Sequence, residues 1–192
     1  MDKLVVKGGG KLRGEVSISG SKNAALPILA ATLLTDEKCV IKNVPQLRDV
    51  LTMIKILRAL GVKAQMSDNV AEIEPEGYKE YTAPYKLVST MRASICVLGP
   101  LVAKKRRAHV SIPGGCVIGP RPIDLHLKGI KALGADVKIE HGYVIAHAEH
   151  LRGNSIYLGG AFGSSVLATA NVMMAAVLAR GKTIIENAAC EP

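Results

Sequence analysis

Apolar positions recur on two different periods along this chain, and the switches between them mark its elements. Residues 47–60 carry apolar side chains at three- and four-residue spacing, the stripe of an amphipathic helix. Gly61 stops that helix, where a left-handed residue closes the last turn, and residues 62–66 read as a strand. The same order returns later: a helix over 123–133, a stop at Gly134, and a strand over 136–140. The two endings align closely, Ile56-Leu57-Arg58-Ala59-Leu60-Gly61-Val62 against Gly129-Ile130-Lys131-Ala132-Leu133-Gly134-Ala135. Ahead of each lies another helix, over 25–34 and over 91–102, followed by strands over 39–42 and 108–112. A helix over 165–178 and a strand over 183–187 begin a third copy. The stretches 24–34 and 166–178 are almost wholly apolar, as in helices buried on most sides. Residues 72–74 and 143–147 supply hairpin strands, and 4–6 and 15–19 read as strands before the first repeat. Strand and helix alternate in an internal repeat, which predicts the α/β class.

Composition narrows the picture. A chain of 192 residues buries a real core. With 48% hydrophobic but only 3% aromatic residues, that core consists of Ala, Val, Leu and Ile packed through close helix contacts. The formal charge of +9 favours anionic ligands through long-range attraction. Nucleic acid is not expected among them, because Phe162 is the only Phe and there is no Trp for stacking. The basic run Lys104-Lys105-Arg106-Arg107 reads as a solvated turn. Cys39, Cys96, Cys116 and Cys190 lack paired metal-ligand spacing, and Cys39 and Cys96 lie in apolar runs, as buried thiols do. Nothing at the start reads as a signal peptide, and no apolar run is long enough to cross a membrane. The expectation is a reduced, cytoplasmic protein with no membrane contact, metal or redox cofactor.

Candidate chemistry concentrates in Pro113-Gly114-Gly115-Cys116-Val117-Ile118-Gly119-Pro120-Arg121-Pro122-Ile123-Asp124-Leu125-His126. Here one thiol sits on a glycine-flanked loop with an arginine five residues on. Gly114 and Gly115 open backbone conformations closed to other residues, and Pro113, Pro120 and Pro122 stiffen the turns. A thiol near fixed positive charge suits acid or nucleophile chemistry on an anionic substrate. The plain alternative is a surface loop with an incidental cysteine. Three further segments accompany the loop: Gly20-Ser21-Lys22-Asn23-Ala24-Ala25-Leu26-Pro27, Met91-Arg92-Ala93-Ser94 and Ile185-Glu186-Asn187-Ala188-Ala189. Together, in this order and over the whole length, the four resemble the enolpyruvyl transferases. The cysteine loop sets the chain apart from the branch acting on shikimate 3-phosphate. It resembles the branch that serves peptidoglycan synthesis.

The resemblance implies an inside-out α/β barrel of βαβαββ units about a pseudo-threefold, helices inside and sheets outside. Family members are about twice as long and have two such domains. Residues 1–20 correspond to strands of the second domain, and residues 21–192 to most of the first, with two complete repeats and part of a third. The implied reaction moves the enolpyruvyl group of phosphoenolpyruvate to the 3-hydroxyl of UDP-N-acetylglucosamine and releases phosphate. Cys116 would be the proton donor, and it can also add covalently to the enol ether carbon. Lys22, Arg92 and Arg121 would hold the anions, and Asn23 would orient the reacting hydroxyl. Arg121, Pro122, Ile123, Asp124 and Leu125 match the segment that takes the uridine end. Ser164, Ser165 and Val166 would face the diphosphate, and His126 is structural. The aspartate base and a phosphate arginine of the second domain have no counterpart here. The chain is therefore expected to be a fragment, or to need a partner chain, and to be inactive alone. It also departs from the family locally: Leu167 and Ala170 stand where Gly and a polar residue are usual, and Cys190 stands where Arg is usual. Two other classes stay open, a sugar-nucleotide binding module without turnover and a nucleic-acid binder built on the same unit.

Overall fold

The computed structural model describes residues 3–114 and 122–190. Its first helix, α1 (Lys22–Ala31), begins where the Ser21 hydroxyl accepts the Ala24 N–H at 3.4 Å, satisfying a donor that the helix cannot. The cap moves the start ahead of the predicted residue 25, so Lys22 and Asn23 sit in the first turn rather than in a turn before it. A 3₁₀ turn, Thr32–Leu34, prolongs α1, and β1 (Cys39–Ile41), α2 (Arg48–Ala59), β2 (Lys63–Ser67) and β3 (Val70–Glu74) complete the first unit. The second unit runs β4 (Thr82–Ala83), α3 (Tyr85–Val88), a 3₁₀ segment Arg92–Val97 continuing into α4 (Leu98–Lys105), β5 (Arg107–Ser111), α5 (Asp124–Ala132), β6 (Asp136–Glu140) and β7 (Tyr143–His147). β8 (Ser155–Tyr157), α6 (Val166–Ala176) and β9 (Ile184–Glu186) follow.

The sheets repeat one plan. β1-β3-β2 is antiparallel throughout, with Cys39 opposite Ile73 and Lys63 opposite Glu74. β5-β7-β6 has the same order, and β4 adds to its edge in parallel, Thr82 opposite His109. β8 and β9 pair in parallel, as β4 and β5 do. β3 buries Ala71 and Ile73, and β7 buries Val144 and Ala146, every second residue, so one face of each meets the helices and the other faces water. Inside, α1, the Arg92–Val97 segment, α4 and α6 pack on one another, with α2 against α1 and α5 against α6. Leu29, Ile95, Leu98 and Val172 are fully buried there. Close approach depends on glycine. A Cβ on Gly99 would lie 2.2 Å from the Asn171 carbonyl oxygen, and one on Gly129 would lie 2.1 Å from Val172 Cγ2. Such contacts allow a core with few aromatic rings.

Several expectations need correction. Residues 3–20 form no strand, and Leu4, Leu12 and Ile18 lie exposed; apolar alternation makes a strand only where another strand accepts its hydrogen bonds. The helix expected over 91–102 is broken into 3₁₀ and α portions. The basic run is partnered rather than merely solvated. Lys104 pairs with Asp36 at 2.5 Å, Lys105 reaches the Tyr78 carbonyl and lies 3.8 Å from its ring centre, and Arg107 lies 4.1 Å from that of Tyr81. Aromatic faces attract cations even at a surface. Cys39 is half-buried, whereas Cys96 is fully buried and its thiol is pushed up to about 12 by desolvation. Among the described residues, no helix is long and apolar enough to cross a membrane.

Candidate functional site

The starts of the inner helices converge on one cavity of about 980 Å³. The start of α1 places Ser21, Lys22 and Asn23 in its wall, and the second unit contributes Met91 and Arg92. The start of α5 adds Pro122, Asp124, Leu125 and His126, and the approach to α6 adds residues 160–167. The repeat explains this convergence. Lys22, Arg92 and Val166 each open an inner helical segment, after Ser21, Met91 and Ser165 respectively. Ser165 caps α6 as Ser21 caps α1, its hydroxyl accepting the Ala168 N–H at 3.3 Å.

Two of the helix starts carry cations. Lys22 Nζ donates to Asp49 Oδ2 at 2.9 Å, with both side chains partly exposed, at 43% and 34%. Arg92 is half-buried, and its Nη2 donates to the Pro122 carbonyl at 3.1 Å. That bond ties the second inner helix to the chain entering α5. Asn23 lies beside Lys22, and Pro27 has no N–H to give to the Asn23 carbonyl four residues back. Asp124 is the acid in the first turn of α5, where the helix dipole favours negative charge. Ile123, expected with the uridine segment, packs against the core and is outside the cavity wall.

The wall beside α6 is a tight turn. Gly160 and Gly163 exchange backbone hydrogen bonds at 3.1 and 3.0 Å, with Gly163 at φ +82°. Phe162 stands on this turn 72% exposed. Ser164, Ser165 and Val166 follow in the wall together with Leu167, whose apolar side chain borders the expected diphosphate segment. Deeper lies His126, 2% exposed. Burial, with the Arg92 charge nearby, pushes its imidazole down to about 3. Its Nδ1 lies 3.0 Å from Asn171 Nδ2.

The structure thus brings together Lys22, Asn23, Arg92, Pro122, Asp124, Leu125, Ser164, Ser165 and Val166. Cys116 and Arg121 lie outside the described residues. Their loop starts beside the site of a backbone contact, since a Cβ on Gly114 would lie 2.3 Å from the Ser89 carbonyl oxygen. Asp49, Phe162 and Asn171 escaped sequence reasoning. Asp49 and Asn171 left no local signal, because their partners are distant in sequence. Phe162, the one phenylalanine of the sequence, set in a glycine-rich turn, is a local signal for an exposed aromatic face. Chemically, the cavity offers two cations for an anion, a carboxylate acceptor, small hydroxyls and one exposed aromatic face.

Comparison with known proteins follows the same line. The family model EPSP synthase (3-phosphoshikimate 1-carboxyvinyltransferase) matches residues 6–192. UDP-N-acetylglucosamine 1-carboxyvinyltransferase of Methylacidiphilum infernorum is 57% identical over all of this chain and 45% of its own length. The protein of that name from Geobacter metallireducens is 54% identical over the same shares. The chain therefore spans under half the length of the curated relatives it matches. Among solved structures, the enolpyruvyl transferase NikO from Streptomyces tendae aligns with TM-score 0.76 at 20% identity, over 93% of this chain and 41% of that one. EPSP synthase from Acinetobacter baumannii aligns with TM-score 0.71 at 16% identity, again over 93% and 41%. The architecture is that of a partial inside-out α/β barrel.

Proposed function

This chain belongs to the EPSP synthase (3-phosphoshikimate 1-carboxyvinyltransferase) family, and from that premise we propose that it forms one substrate-binding half of an enolpyruvyl transferase. The group moves from phosphoenolpyruvate to the 3-hydroxyl of UDP-N-acetylglucosamine, and phosphate leaves. The observation that carries this reading is one cavity whose wall holds Lys22 and Arg92, from the inner helix starts, together with Asp124 from the start of α5. The names of relatives 54–57% identical along the whole chain favour the sugar nucleotide over shikimate 3-phosphate.

In this reading Lys22, Arg92 and Arg121 hold the phosphate and carboxylate of phosphoenolpyruvate. Cys116 gives a proton to the methylene carbon, and the sugar oxygen bonds to the adjacent carbon as its own proton passes to a base. Loss of phosphate, with removal of one methyl proton, restores the double bond in the product ether. Asn23 orients the hydroxyl. Pro122, Asp124 and Leu125 receive the uridine, Asp124 as acceptor from the uracil imide. Ser164, Ser165 and Val166 face the diphosphate. Residues 21–192 act as most of one domain, and residues 1–20 belong with the other, which supplies the base and a further arginine. Leu167 in the wall supports a second reading, a sugar-nucleotide binding module without turnover, because an isobutyl group gives a diphosphate no hydrogen bond.

The test is to titrate UDP-N-acetylglucosamine into the protein, with the second half supplied, and to follow phosphate release. Release that slows in Cys116→Ser at neutral pH and partly persists in Cys116→Asp is expected, since a carboxylic acid also donates a proton. Full activity of Cys116→Ser across the pH range would sink the donor role, and binding without release would favour the second reading. Salt-sensitive RNA affinity without sugar-nucleotide binding would replace both.

A further inference from the structure

We infer that Asn171 is a positioning residue that fixes His126 as a neutral imidazole with its proton on Nε2, a hydrogen-bond donor in the cavity wall. The inference rests on hydrogen-bond polarity. The Asn171 side chain meets two backbone groups of the second inner helix: Gly99 N–H donates to Oδ1 at 2.6 Å, and Nδ2 donates to the Ile95 carbonyl at 3.0 Å. A backbone N–H only donates and a carbonyl only accepts, so the amide cannot be reversed. Its Nδ2 then turns an N–H toward His126 Nδ1 at 3.0 Å. A donor facing Nδ1 requires a lone pair there, which places the ring proton on Nε2. A charged ring would set two N–H groups against each other. Burial of the ring and the neighbouring Arg92 guanidinium oppose that charge as well.

Both residues are buried, Asn171 wholly and His126 at 2% exposure, and a buried polar network with its valences used admits one arrangement. The node joins α6, the junction of the 3₁₀ segment with α4, and the first turn of α5. Its consequence reaches the cavity, because His126 stands in the same wall as Asp124, two residues before it. The carboxylate only accepts and this tautomer can only donate through Nε2, so α5 offers a ligand one of each. His126 is then a fixed donor and not a base. The ligand half of this inference, a bond from Nε2 to an acceptor oxygen, rests on the sugar-nucleotide reading above.

Nitrogen-15 NMR of the histidine-labelled chain at neutral pH reads the tautomer directly. Expected for His126 is a protonated Nε2 and a bare Nδ1. Asn171→Asp, which has no N–H to give, should move the proton to Nδ1 or charge the ring. A wild-type His126 protonated on Nδ1, or an unchanged pattern in a folded Asn171→Asp, would overturn the positioning role. If Asn171→Asp does not fold, the wild-type spectrum decides alone. On titration with UDP-N-acetylglucosamine the Nε2 resonance should shift, and His126→Phe should weaken binding about tenfold, the scale of one hydrogen bond to a charged group. Binding with a stationary Nε2 resonance would remove the donor role. Failure of the wild-type protein to bind at all with the second half supplied would count against the transferase reading and leave the tautomer result standing.

Discussion

Lys22 meets a carboxylate before it meets a substrate. Its pair with Asp49 spans 27 residues of sequence and lies partly in water, so the pair itself stabilises the fold by only about 0–1 kcal/mol. Its larger effect is competition, since an arriving phosphate must share or displace Asp49. Asp49→Asn should therefore tighten binding of inorganic phosphate by about two- to fivefold. Lys22→Ala should weaken phosphoenolpyruvate by about 1.5–3 kcal/mol and leave uridine nearly untouched. Calorimetric titrations of the enzyme with both halves present check these values, and equal losses for the two ligands would misplace Lys22. His126 makes a different prediction at this scale. Its folded-state pKa is held down to about 3, while an unfolded histidine titrates near 6.5. Between those values the unfolded chain takes up a proton that the folded chain refuses. Stability should therefore fall as pH drops from about 6.5 toward 3, with a slope approaching 1.4 kcal/mol per pH unit. Urea midpoints across that range should show this loss in the wild type and less of it in His126→Gln.

At the scale of elements, glycine sets how closely the inner helices approach. In Gly99→Ala the new methyl would meet the Asn171 backbone oxygen at 2.2 Å and its Oδ1 at 2.5 Å. Neither can swing away without breaking the amide node, so a loss of about 3 kcal/mol or more is expected, at the upper end for overpacking. Gly129→Ala meets the end of the Val172 side chain, and it should cost less and be rescued by Val172→Ala. Denaturant melts of the single and double variants check the ranking; equal losses without rescue would contradict it. The same node explains what the sequence could convey. α2, α5, β6 and β7 were legible because each is long enough to show its period, and β6 and β7 fall at the predicted residues. β4, α3 and β8 span two to four residues and have no period to show. The break between Arg92–Val97 and α4 is imposed across the core, where Asn171 takes the Ile95 carbonyl and the Gly99 N–H. Lys22, Arg92 and Ser165 could be picked out because the repeat and the resemblance both mark inner-helix starts, and Asp124 through the resemblance alone. Asp49 belongs to the wall through folding alone.

At the scale of the whole molecule, the described barrel is partial. Among the described residues β1 has a neighbour on one side only, whereas its counterpart β5 has β4 as well, and β8-β9 stands as a two-stranded sheet. Strands with unpaired edges invite pairing with other chains. In the proposed reading, groups held in two domains close around both substrates to orient them and exclude water. The 192-residue chain by itself is thus expected to associate in solution and to release no phosphate, with activity appearing when the second half is added. Light scattering and a phosphate assay measure the two halves of this prediction. Steady release by a purified monomer, abolished by Cys116→Ala, would refute it.

The equivalence of Lys22, Arg92 and Val166 at the heads of the inner helices has a consequence for variation. Repeated copies of one supersecondary unit aim the same backbone position at a common cavity. A substitution at one head changes one patch of that wall and leaves the scaffold of the other heads intact. The repeat therefore makes the heads separately adjustable, and at one of them a valine stands where the other two carry cations.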